Sequence, residues 1–137
     1  MGEAMTIKLF LSIIGALGVA HGVAFIIAPD QVTSIYGLQQ SAAVALVSRL
    51  FGGALVAWGA ILWLAKSFRD EAAVRAVLIA TAVAEAISLC IVVQSTLAGT
   101  MNAMGWVAVL IYLFGAAGCA YFLMREKQLN AVKPISQ

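Results

Sequence analysis

Three chargeable side chains, Glu85, Arg49 and His21, lie inside stretches that are otherwise almost wholly apolar, and each is a type that does chemistry. A carboxylate can act as acid, base or counter-ion. A guanidinium can hold a carboxylate through two parallel hydrogen bonds. An imidazole can bind a ligand, move a proton or bridge two helices. Ser88 and Tyr112 add hydroxyls in neighbouring apolar stretches. Glu85 is the midpoint of the apolar stretch 73–97, so a helix there would carry a carboxylate to the centre of a bilayer. Ionisable groups at that depth cost about 2.5–3.5 kcal/mol by insertion scales, and they mark functional sites by default.

The elements that must position these groups follow from composition. Apolar residues form 64% of the 137-residue chain, charged residues 10%, and the mean hydropathy is +1.03. Soluble domains are roughly half apolar, so this is an integral membrane protein and a single domain. Four spans are expected at about 7–28, 42–65, 73–97 and 103–124, each long enough to cross about 30 Å of hydrocarbon as a helix. Turn or polar residues separate them: Pro29 and Asp30, then Lys66 to Asp70, then Gly99 to Asn102. Connections this short predict an antiparallel four-helix bundle, all-α, with consecutive helices as neighbours. A cleaved signal is disfavoured for the first span, whose apolar run continues through Ile27.

Seven of the eight Lys and Arg residues flank one set of span ends: Lys8, Lys66, Arg69, Arg75, Arg125, Lys127 and Lys133. The positive-inside rule then places both termini and the middle connection in the cytoplasm. Arg49, the eighth, is within a span.

Helical spacing gives each span a face. Thr81, Glu85, Ser88, Val92 and Ser95 form one stripe on the third. Gly15, Gly18 and Gly22 form another on the first; Arg49, Gly52, Val56, Gly59 and Trp63 on the second; Gly105, Ala108, Tyr112, Gly115 and Cys119 on the fourth. Small residues mark close helix contacts in membranes, so these stripes, with Gly53 beside them, are expected to pack inward. Counted down from the outer end of each span, on the Pro29 side, at 1.5 Å per residue, His21 and Arg49 lie roughly 10 Å deep, Tyr112 and Ser88 roughly 13 Å, and Glu85 roughly 18 Å. An extended Arg49 could reach Glu85. An Arg49–Glu85 ion pair is therefore expected, with His21, Ser88 and Tyr112 around it, as either a polar ligand pocket or a bundle-locking pair.

Several chemistries are disfavoured. One His, one deep Glu and two separated Cys do not supply the ligands of a metal site. Haem would rest on His21 alone, and no cofactor is expected. Cys90 and Cys119 differ in depth by roughly 14 Å at 1.5 Å per residue, too far for a disulfide. Neither a nucleophilic triad nor a phosphate-binding loop is present. The net charge of +2 is accounted for by topology, which leaves no basic patch for nucleic acid. In the first connection, Pro29 can start a short helix with Val32, Ile35 and Tyr36 on its apolar side and Gly37 ending it. It reads as an interfacial connector, with a cap over the polar cluster as the less favoured alternative.

Pro29, Tyr36-Gly37, Arg49, Gly52-Gly53, Gly59 and Trp63 together resemble the pattern of small four-helix bacterial membrane proteins of the DoxX-like type. The resemblance implies the fold and a bacterial inner membrane; some such proteins are small subunits associated with quinone-linked sulfur oxidation. It assigns no catalytic residue. The favoured function is a non-enzymatic accessory protein that packs, as a homo-oligomer or on another membrane protein, through its Gly-rich faces. A binder or transporter of a small hydrophobic molecule, lipid or quinone, at Arg49 and Glu85 is the alternative. A membrane enzyme or redox-complex subunit ranks third.

Overall fold

A computed structural model of the chain describes residues 2–132, with side chains over 7–125. Lys133 lies outside the described residues, as does the side chain of Lys127. The described residues form five helices and no strand: α1 (Gly2–Ile27), α2 (Pro29–Ile35), α3 (Ala42–Ala65), α4 (Glu71–Leu97) and α5 (Gly105–Val132). Within them, Ile7–Ile27, Ala42–Ala65, Glu71–Leu97 and Gly105–Arg125 are long and apolar enough to cross a membrane.

Local chemistry sets the helix ends. Pro29 occupies the first turn of α2, where its missing N–H is no loss. The Ser41 hydroxyl caps α3 by accepting from the Val44 N–H at 3.1 Å. Asp70 caps α4 by accepting from the Ala72 N–H at 2.9 Å, so α4 begins two residues before the expected span. Gly99, with φ +74°, ends that helix in a conformation that side chains oppose. In α2, Pro29 and Thr33 are buried and Ile35 is exposed, while Val32 and Tyr36 are half-buried; the Thr33 hydroxyl donates to the Pro29 carbonyl at 2.8 Å and lies 3.0 Å from Gln40 Oε1.

The long helices associate as two tight pairs, α1 with α3 and α4 with α5, with few contacts between the pairs among the described residues. Consecutive α3 and α4 touch only slightly, because the connection from Lys66 to Asp70 joins the pairs rather than closing one. Glycine makes the α1–α3 approach possible. A Cβ on Gly15 would meet the Gly59 carbonyl oxygen at 2.9 Å, and one on Gly22 would meet that of Gly52 at 2.6 Å. A Cβ on Gly18 would stand 3.1 Å from the Trp58 ring. Backbone packed on backbone gains dispersion that a bilayer cannot supply.

Two fastenings hold the pairs together, one at each end. Near the Lys66 connection, Phe10, Leu11, Ile14, Leu62, Ala65, Leu78 and Cys119 form a buried apolar cluster drawn from all four long helices. At the α2 end, Asn102 Nδ2 donates to the Ile35 carbonyl at 2.9 Å, and the Asn102 backbone N–H donates to the Tyr36 carbonyl at 2.9 Å. The Asn102 side chain also lies against Gly37, whose φ of +77° turns the chain there. Outward-facing Trp63 and Trp106 mark the two ends of the apolar belt, and Lys66 Nζ lies 3.7 Å over the Trp63 ring.

Candidate functional site

Between these fastenings the two helix pairs stand apart, leaving a partly open cavity of about 140 Å³. One wall is the α1–α3 pair: Leu17, Gly18, His21 and Phe25 face Phe51, Leu55 and Trp58. The other is the α4–α5 pair: Glu85 from α4, with Ala108, Tyr112, Phe114 and Gly115 from α5. Tyr36 closes the α2 end. α1, α3 and α5 supply their linings at three- and four-residue spacing, as one helical face does, and α4 supplies Glu85 alone. Phe25 and Phe51 meet edge to face, with ring centroids 5.4 Å apart.

Glu85 is the acidic member of this apolar, aromatic wall. It is only 5% exposed, and its Oε2 atom is buried with no hydrogen-bond partner among the described residues. Gly115 makes room for the carboxyl: a Cβ there would come within 2.7 Å of Glu85 Cδ. Buried polar atoms are nearly always paired, so an orphaned carboxylate oxygen at a cavity wall requires an explanation.

The expected Arg49–Glu85 ion pair is not formed. Arg49 is exposed and lies outside the cavity lining. The buried face of α3 runs through Ser48, Gly52, Gly59 and Leu62. Successive residues are rotated by about 100° on a helix, which turns Arg49 outward. Trp63, at the other end of the expected stripe, is exposed too, whereas Gly52 and Gly59 between them are buried. Gly53 also differs from expectation: it is exposed, and a Cβ there would meet nothing within 4 Å.

His21 and Tyr112 do line the cavity with Glu85, whereas Ser88 is half-buried and outside its wall. The His21 Nδ1 lies 3.2 Å from the Leu17 carbonyl oxygen. A carbonyl only accepts, so this contact places the neutral ring's proton on Nδ1 and leaves Nε2 as an acceptor. Burial raises the Tyr36 phenol above its ordinary range, so it is a neutral hydrogen-bonding group. The remaining glycines of the stripes are engaged inside the chain, Gly105 against Thr96 and Gly115 against Glu85. Both cysteines are free thiols, Cys90 exposed and Cys119 buried. Among the described residues no three His, Cys, Asp or Glu side chains converge as metal ligands.

Aromatic side chains were the missed part of the site. Phe51, Leu55 and Trp58 recur at intervals of four and three, a face beside the stripe that carries Gly52 and Gly59.

The chain has no match to a protein-family model, to a curated protein or to a solved structure. The resemblance to DoxX-like proteins thus has only its quoted residues behind it.

Proposed function

We propose that this small helical membrane protein binds a small, largely apolar molecule between its two helix pairs, with Glu85 as the polar anchor. The observation that carries this reading is the unpartnered Glu85 Oε2 at the wall of an aromatic cavity. A cavity of about 150 Å³ lined by apolar side chains holds benzene, so 140 Å³ suits a single ring or a short branched chain rather than a whole lipid.

The competing reading, an accessory protein assembling through glycine faces, loses most of its surface to intramolecular packing. Gly15, Gly18, Gly22, Gly52 and Gly59 are occupied by the α1–α3 contact, leaving Gly53 as the outward one among those stripes. The topology that goes with the binding function is an antiparallel bundle with both termini cytoplasmic. Its support is the distribution of Lys and Arg and the opposed order of the contacts Gly15 to Gly59 and Gly22 to Gly52. A bacterial inner membrane is the setting that the DoxX-like resemblance implies.

Native mass spectrometry of protein extracted in mild detergent tests the binding reading. Wild type is expected to carry a small adduct that Glu85→Gln loses while keeping its helical circular dichroism. An apo protein assembled with further copies or another membrane protein, identical in both forms, would favour the accessory reading instead.

A further inference from the structure

The chemistry of the cavity wall restricts what can occupy it. Glu85 is acidic, and no Lys or Arg lines the cavity with it. The titratable groups around it are His21 from α1, Tyr36 from the α2 end, and Tyr112 and Cys119 from the buried face of α5; α3 contributes none, because Arg49 points away. The faces and edges of Phe25, Phe51, Trp58 and Phe114 complete the wall. An ionised carboxylate with no partner in such surroundings is strongly disfavoured. A proton on the carboxyl removes that penalty, and so does a cationic ligand. Aromatic faces attract cations through their quadrupoles, more strongly where water is excluded. A ring bearing only carbonyl acceptors can accept from the protonated carboxyl but offers nothing to the ionised one.

Resting on the binding function proposed above, we infer that the ligands of this cavity are small lipophilic amines in their ammonium form, with the nitrogen on the Glu85 carboxylate and the apolar body among the aromatic side chains. Ligand and proton then compete for the same carboxyl group. Ammonium binding weakens as the pH is lowered, and ligand uptake by the protonated carboxyl releases one proton.

The test compares benzylammonium with ethylbenzene, its neutral isostere, by isothermal titration of the protein in lipid nanodiscs. Wild type is expected to bind benzylammonium about tenfold or more tightly than ethylbenzene, since a charge-assisted hydrogen bond contributes about 1.5–3 kcal/mol. Acidification should erase that preference, and Glu85→Gln should lose it while still binding ethylbenzene. Ethylbenzene bound as tightly as benzylammonium by wild type would overturn the ammonium assignment and leave the cavity's binding function standing. Binding of neither would overturn both. The wild-type comparison and its pH dependence need no variant, so a poorly folded Glu85→Gln protein would not shield the inference.

Discussion

Gly22→Leu is expected to separate α1 from α3 and to give the largest loss of stability of any single substitution in the bundle. A Cβ at this position meets the Gly52 carbonyl oxygen at 2.6 Å, Val56 Cγ2 at 2.7 Å and the Val56 backbone nitrogen at 2.8 Å. Overpacking costs about 1–3 kcal/mol where neighbouring side chains can shift. Two of these three neighbours are backbone atoms of a facing helix, so the whole helix must move, and the loss should reach about 3 kcal/mol or more. Lipid solvates the separated apolar faces as well as each other's side chains do, which leaves no hydrophobic drive to hold the pair against the clash. Thermal unfolding in detergent checks this, with Gly53→Leu as the reference. That substitution places its side chain where no atom lies within 4 Å, and it should leave the melting midpoint nearly unchanged.

Gly115→Leu should displace the Glu85 carboxyl and destabilise the protein by about 2–3 kcal/mol through overpacking. The new Cβ would stand 2.7 Å from Glu85 Cδ and 2.8 Å from Oε2, at the point where the anchor faces the cavity. Glu85→Ala on its own should be nearly neutral or mildly stabilising, because it removes a buried carboxyl oxygen that lacks a partner. In that shortened background the Gly115→Leu side chain has space. The double variant should recover about 1–2 kcal/mol relative to the sum of the singles, a coupling in the usual range for residues in contact. Chemical or thermal denaturation of the four proteins measures it. Strict additivity would mean that Gly115 and Glu85 do not share the space described here.

Much of the fold is legible in the residues. Ala42–Ala65 is both the expected second span and the observed α3, because Ser41 caps its start and polar Lys66 follows its end. On the stripe expected of α4, Thr81 and Glu85 are buried, while Ser88, Val92 and Ser95 further along it are half-buried. The pairing of helices was less accessible. A row of glycines fits equally against a helix of the same chain or of another copy, and only the three-dimensional arrangement shows α3 filling the row on α1. The inner face of α3 was legible in part. The expected stripe was right at Gly52 and Gly59, which are buried, and wrong at its ends, Arg49 and Trp63, which are exposed, since a charge within a span was assigned an inward partner. An exposed Arg needs none: its long side chain can run outward to the headgroup region. A pocket at Glu85, His21 and Tyr112 was one of the two readings of the sequence, but its aromatic wall and its volume were not legible, because it is a space left between two pairs fastened at their ends, and helical periodicity contains no information about gaps.

The central claim, that the space between the helix pairs is a binding cavity beside Glu85, is tested most directly by diffraction at the bromine absorption edge from crystals equilibrated with bromobenzene. The expected result is an anomalous peak between the Trp58 ring and Gly115, next to the Glu85 carboxyl. Helix pairs closed on one another, with bromine found only among the outward-facing side chains, would contradict it.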